Sequence, residues 1–175
     1  MRVYAKLPIA VLAVALFDVA PAGVADPVSV TFFNRTAHDY RVWLIAPEKC
    51  VVQAIEAPFL IKAGGQYPYT MHIDTETCNA AQITWSISGT GTDTDVGGHL
   101  TYSRYKGMTG QWLTRMNFAP YPNAPRPYHE FLRTACGTTS SNCMRVGVRS
   151  KSGDATVAIL PTAVLAQHAH KKAAR

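Results

Sequence analysis

Residues 82–87 read Gln-Ile-Thr-Trp-Ser-Ile, so that Ile83, Trp85 and Ile87 alternate with polar neighbours. Apolar side chains at every second position are typical of a half-buried β-strand, because successive side chains of a strand point to opposite faces. Similar patterns occur at six other places, namely residues 28–33, 40–45, 100–104, 112–118, 144–148 and 155–160. Helical periodicity is almost absent. The sequence therefore predicts an all-β protein.

Turn-forming residues separate the predicted strands, at residues 34–39, 63–65, 88–98, 107–110, 120–127 and 150–154. Many short strands at this spacing favour an antiparallel β-sandwich or barrel, and we expect a sandwich over residues 26–161. The chain has 175 residues, of which 47% are hydrophobic, enough for one core. The four prolines within residues 120–127 remove backbone donors and fix φ, so we expect an exposed loop there.

The N-terminus resembles an export signal. Arg2 and Lys6 precede the almost wholly apolar residues 7–17, and small side chains follow at 23–25. This order predicts a signal peptide over residues 1–25 with cleavage after Ala25; cleavage near residue 22 and a buried N-terminal helix are the alternatives. We therefore expect a secreted or periplasmic protein.

The four cysteines all lie after the predicted cleavage site. An even number of cysteines in an exported chain indicates disulfides, although the sequence allows three connectivities. Cys136 and Cys143 enclose a short polar segment that suits a hairpin loop. We therefore predict Cys136–Cys143, which leaves Cys50 to pair with Cys78, and a sandwich stabilised by two disulfides.

Charge is distributed unevenly along the chain. The formal charge is −4 over residues 26–95 and +7 over residues 96–153, and residues 162–175 form a basic C-terminal tail that we expect to be frayed or disordered. This asymmetry favours an anionic partner, such as a lipid surface, a glycan or an acidic protein. A solvated basic face is the alternative. Export makes nucleic acid an unexpected partner, and the sequence leaves the oligomeric state open.

The basic region is also rich in aromatic residues. Tyr102, Trp112 and Phe118 fit the inward phase of their strands, whereas Tyr121 and Tyr128 lie in or beside the Pro-rich segment. Rigid rings near a cation suit stacking on a sugar, contact with a quaternary ammonium or contact with a membrane interface. The alternative is that this segment folds back to cap the sandwich. The predicted ligand-binding residues are Trp112, Pro120, Tyr121, Arg126 and Tyr128.

A family resemblance supports part of this set. The chain opens with residues 28–33, Asn-Arg-Thr at 34–36, residues 40–43 and an Ala-Gly-Gly turn at 63–65, which resembles the opening of several exported sandwiches. The later order of Gly-His-Leu-Thr-Tyr at 98–102 and Phe-Ala-Pro-Tyr at 118–121 is similar to that of actinoporin-like proteins and fungal fruit-body lectins. The resemblance implies a β-sandwich that binds phosphocholine headgroups or glycans, with Pro120 and Tyr121 in the pocket and Tyr128 as a further wall.

Signatures of catalysis are weak. Four of the six histidines show no metal-ligand spacing, His168 and His170 on the tail would bind a metal only weakly, and no Gly-x-Ser-x-Gly elbow is present. Asn34-Arg35-Thr36 matches a glycosylation sequon. We expect no catalytic residue, metal or cofactor, and a non-catalytic module that binds a lipid headgroup or a glycan. A periplasmic interaction or inhibitor protein is the alternative, and a small hydrolase is the third candidate.

Overall fold

A computed structural model describes residues 25–47, 50–90, 97–122, 132–137 and 140–161, which form eleven strands in two sheets. The first sheet contains β1 (Ala25–Asn34), β3 (Val51–Gln53), β5 (Gln66–Asp74), β9 (Leu132–Cys136) and β11 (Ala155–Ile159), in the order β3-β5-β1-β11-β9. The second contains β2 (Tyr40–Pro47), β4 (Phe59–Ile61), β6 (Ala80–Gly89), β7 (Gly97–Lys106), β8 (Trp112–Pro120) and β10 (Val148–Arg149), in the order β10-β8-β7-β6-β2-β4.

The core lies between the two sheets and follows from the alternation in the sequence. Val28, Val30 and Phe32 on β1 are fully buried, and so are Ile83 and Trp85 on β6. Trp85 packs edge-on against Phe32 of the opposite sheet, with 5.5 Å between ring centroids. The predicted all-β sandwich is confirmed, as is the core position of Trp85.

Pairing within the sheets departs from the prediction at one point. β1 and β11 are parallel, with Val30 opposite Ala155 and Asn34 opposite Ile159, whereas the other strand pairs are antiparallel. The purely antiparallel expectation is therefore wrong for this pair. The first and last strands of the described chain are neighbours in the middle of the first sheet.

Four strands were not predicted, namely β3, β4, β5 and β9. In β5, Tyr69, Met71 and Ile73 alternate as a half-buried strand requires, but Pro68 interrupts the pattern. Pro68 is tolerated because β3 pairs with β5 only at His72 and Ile73, so a missing N–H at residue 68 breaks no bond to β3.

Three predicted boundaries are wrong. The expected strand over residues 144–148 is reduced to an isolated bridge at Met144 and the two-residue β10, because Arg145 adopts a φ of +64° that ends extended structure. The expected turn over 88–98 is shorter, since β7 already begins at Gly97. Pro120, predicted to be in a loop, is the last residue of β8 and pairs with Gly98.

A buried amide organises the corner between β1 and β2. Asn34 is fully buried, and its Nδ2 donates to the carbonyl oxygens of His38 at 2.7 Å and Ile61 at 3.0 Å. Its Oδ1 accepts the N–H of Thr36 at 3.0 Å. Because both amide hydrogens are used inside the fold, this sequon is not accessible to glycosylation in the folded protein.

Both predicted disulfides are confirmed. Cys50–Cys78 joins the β2–β3 and β5–β6 connections, and Cys136–Cys143 closes the connection that follows β9. No described cysteine is free. Two disulfides are typical of proteins from an oxidising environment. The predicted signal peptide, apart from Ala25, and the basic tail after residue 161 lie outside the described residues. Within the part described, no helix is long and apolar enough to cross a membrane.

We expect the longer disulfide loop to contribute more stability. Cross-linking removes unfolded-chain entropy that grows with loop length, so Cys136→Ala/Cys143→Ala should lose about 2 to 3 kcal/mol and Cys50→Ala/Cys78→Ala about 3 to 4 kcal/mol. Urea unfolding of both double variants measures the two losses. A larger loss from the short loop than from the long one would contradict this order.

Trp85→Ala should cost about 3 to 5 kcal/mol, because it opens a cavity between Phe32 and the edge of Tyr69, whose ring centroid is 5.2 Å from that of Trp85. Trp43→Ala is the matched control, since Trp43 is half-buried on β2. Its loss should be less than half as large. Urea unfolding measures the loss of stability in both variants. Equal losses from Trp85→Ala and Trp43→Ala would show that Trp85 is not the main packing contact of the core.

Candidate functional site at the basic end

The predicted binding residues do not form one surface. Trp112 begins β8 and Pro120 ends it, and Tyr121 follows directly. A strand rises roughly 3.3 Å per residue, so Trp112 and Pro120 are separated by about 26 Å, at opposite ends of the sandwich. Arg126 and Tyr128 lie outside the described residues. The described members of the predicted set therefore lie at two separate ends of the sandwich.

Tyr121 folds back onto the outer face of the second sheet. Its hydroxyl hydrogen-bonds the Ser86 hydroxyl, and its ring meets the ring of His99 edge-on, with centroids 5.2 Å apart. The ring also covers Gly97, where a Cβ would lie 2.6 Å from Tyr121 Cδ2, so only glycine allows this approach. Tyr121 is half-buried. Its contacts fit the alternative in which the segment folds back onto the sandwich better than a free binding loop.

Trp112 contacts two cations at the other end. The Arg104 guanidinium carbon is 5.1 Å from the centroid of the ring, and Lys106 Nζ is 5.2 Å from it. Trp112 has the inward phase that the sequence predicts but is only half-buried, because it begins β8 at the edge of the core. We call the group of Arg104, Lys106, Trp112, Arg149 and Lys151 the basic end.

Arg104 is a buried cation without a carboxylate partner. It points inward from β7, has an exposed fraction of 1%, and makes no salt bridge with any described residue. Nη2 donates to the Lys151 carbonyl oxygen at 2.7 Å and Nη1 to that of Ser152 at 3.0 Å, while the buried Nε has no hydrogen-bond partner among the described residues. Arg104 therefore anchors the connection between β10 and β11, and no carboxylate of the described residues neutralises its charge.

Glycine allows this connection to close around Arg104. Gly153 has a φ of +81°, and a Cβ there would lie 2.7 Å from Arg104 Nη1. Its carbonyl oxygen accepts the Tyr102 hydroxyl at 2.8 Å. Burial raises the pKa of Tyr102 far above its usual range, although the nearby Arg104 opposes the shift, so Tyr102 stays a neutral donor.

Two cavities open at the basic end and share Lys151 as a wall. The larger, about 450 Å³, is lined by Asp26, Pro27, Arg104, Lys151 and Ser152. The smaller, about 350 Å³, is lined by Gly110, Gln111, Trp112, Arg149, Ser150 and Lys151. A ring, several cations and two adjoining cavities together suit an anionic or sugar-like group. Within the described residues, no group of three or more His, Cys, Asp or Glu could hold a metal ion.

Of the residues at the basic end, the sequence predicted a binding role for Trp112 but not for Arg104 or Lys151. The signal for Arg104 was present, because Leu100, Tyr102 and Arg104 alternate on β7, which puts an arginine in the buried phase. Such an arginine needs partners or a ligand. No comparable signal marks Lys151, which reaches the site through the path of its loop.

Comparisons with known proteins add little to this picture. No family model matches the chain, and no curated protein matches it. Among solved structures, the chain is similar to IP-1A from Alcaligenes faecalis, with 9% sequence identity and a TM-score of 0.44, over 78% of this chain and 91% of that chain.

Two glycines test how tightly the loop closes around Arg104. Gly153 and Gly110 both have positive φ, at +81° and +75°, but a Cβ at Gly110 would meet no atom within 4 Å. Gly110→Ala should therefore cost about 1 to 2 kcal/mol from its backbone conformation alone. Gly153→Ala should cost about 1 to 3 kcal/mol more, because it also crowds the guanidinium. Thermal and urea unfolding compare the two, and equal losses would contradict the close contact.

Proposed function

We propose that the protein is an exported, non-catalytic binding module that recognises a membrane-lipid headgroup or a glycan through its basic end. The observation that carries this proposal is the half-buried Trp112 ring, which Arg104 and Lys106 both contact beside two cavities. Indole rings stack on the apolar faces of sugars and are common at membrane interfaces. Cations next to such a ring attract phosphate or acidic sugars.

The two cations on Trp112 differ in mobility. Arg104 is buried and held by two carbonyl oxygens, whereas Lys106 is exposed on the last position of β7. A flexible lysine can move aside with little cost, which would leave more of the ring accessible to a ligand. The arrangement therefore combines a fixed cation with a cation that can move away from the ring.

The proposed compartment is secreted or periplasmic. The two disulfides are consistent with an oxidising compartment. The predicted signal peptide over residues 1–25 supports the finer assignment. The resemblance to actinoporin-like proteins and lectins implies the same ligand classes but assigns the pocket to Pro120 and Tyr121. The contacts of Tyr121 with its own sheet favour the basic end as the contact surface.

Binding to vesicles and to a glycan array tests the proposal. We expect the wild-type chain to bind phosphatidylcholine or phosphatidylglycerol vesicles, or a defined set of glycans. Trp112→Ala should weaken that binding about tenfold, which corresponds to the loss of about 1.4 kcal/mol of ring contact. Trp43→Ala is the matched control, because Trp43 is also half-buried but belongs to β2, away from the basic end.

Melting temperatures of both variants accompany the binding measurements, so that loss of fold is separated from loss of contact. A wild-type chain that binds neither vesicles nor glycans would overturn the proposal in favour of a protein-interaction or inhibitor role. Equal losses from Trp43→Ala and Trp112→Ala would also overturn it, since the contact surface would then not be the basic end.

A further inference from the structure

The larger cavity at the basic end contains an electrostatic imbalance. Arg104, buried to 1% exposure, lines it together with Lys151, and the carboxylate that shares the lining belongs to Asp26. Asp26 makes no salt bridge with a described residue and accepts a hydrogen bond from the Thr75 hydroxyl. Asp154, on the adjoining loop, accepts the N–H of Ser29 at 2.8 Å. Neither carboxylate neutralises Arg104 directly.

We propose that this cavity is an anion subsite, which binds a phosphate group of the ligand between Arg104 and Lys151. The inference rests on the proposed function, because it names the ligand chemistry of the same end of the molecule. A buried cation that has no carboxylate partner among the described residues is costly unless an anion approaches it. Arginine, lysine and hydroxyl groups are the side chains that proteins use to hold phosphate, and Ser152 supplies a hydroxyl in the lining.

The subsite and Trp112 would engage one ligand at two points. Arg104 both contacts the Trp112 ring and lines the phosphate cavity. A phosphate in the larger cavity therefore lies next to whatever group covers the ring. A phospholipid headgroup and a phosphorylated sugar both present a phosphate beside a second group, so the shared chemistry is the phosphate.

Inorganic phosphate is the first probe. Its binding is measured by NMR at constant ionic strength, with chloride as the comparison anion. The protein is recovered after export, because Asp26 is the first residue after the predicted cleavage site. Phosphate should shift the amide signals of residues 151–153, and chloride should not. Signals that move equally with both salts would overturn the inference, since they would report general screening.

Three substitutions then separate a local site from net charge. Lys151→Gln should weaken phosphate binding about threefold to fivefold, and Asp26→Asn should strengthen it by a similar factor, as expected for partly exposed charges. Arg133→Gln is the matched control, because Arg133 is an exposed cation on β9 that does not line the cavity. Its phosphate affinity should equal that of the wild type. Arg104 itself is left unchanged, since its guanidinium also holds the loop.

Failure of the subsite can be told from failure of the proposed function. Binding of phosphatidylcholine or phosphatidylglycerol vesicles, absent with uncharged galactolipid vesicles and inhibited by free phosphate, would identify a lipid as the source of the phosphate. Phosphate binding without vesicle binding would support a soluble phosphorylated ligand. Vesicle or glycan binding that depends on Trp112 but not on Lys151 or Asp26 would overturn the subsite alone. Equal effects of Arg133→Gln and Lys151→Gln would overturn it too.

Discussion

The parallel pairing of β1 with β11 is the contact on which the rest of the structure depends. It places the first and last described strands side by side in the first sheet, with Val28, Val30 and Val157 buried beneath them. To reach this position the chain must leave the second sheet after β10 and cross to the first. The crossing occupies residues 150–154, and the carbonyl oxygens that Arg104 binds belong to it. The basic end is therefore a consequence of the sheet topology.

The two disulfides strengthen other crossings between the sheets. Cys50 lies where the chain passes from β2 to β3, and Cys78 lies where it passes from β5 to β6. Cys136 ends β9, and Cys143 precedes the bridge that Met144 forms with Met116 of β8. Each bond thus limits the separation of segments that belong to different sheets. A sandwich with so many crossings gains from such links because its pairings join residues far apart in sequence.

The two ends of β8 illustrate how similar residue types acquire different roles. Tyr121 lies beyond the last residue of β8 and packs on Ser86 and Gly97, so its ring contacts the outer face of its own sheet. Trp112 lies at the start of the same strand and contacts cations beside open cavities. An aromatic residue in a basic region is therefore a binding candidate only where the fold leaves part of its surface and a neighbouring space free.

Local patterns in the sequence determined the β-class, the buried position of Trp85 and the short Cys136–Cys143 loop, because each depends on residues close together in the chain. They missed β5, where Pro68 interrupts an otherwise regular alternation, and overextended the strand before β10, where Arg145 has positive φ. Only the tertiary structure decided that β1 and β11 are parallel, that Trp112 and Tyr121 lie at opposite ends, and that Lys151 joins Arg104 around a cavity. These features depend on which distant strands pair, and period-two alternation specifies the face of each side chain but not the neighbour of each strand.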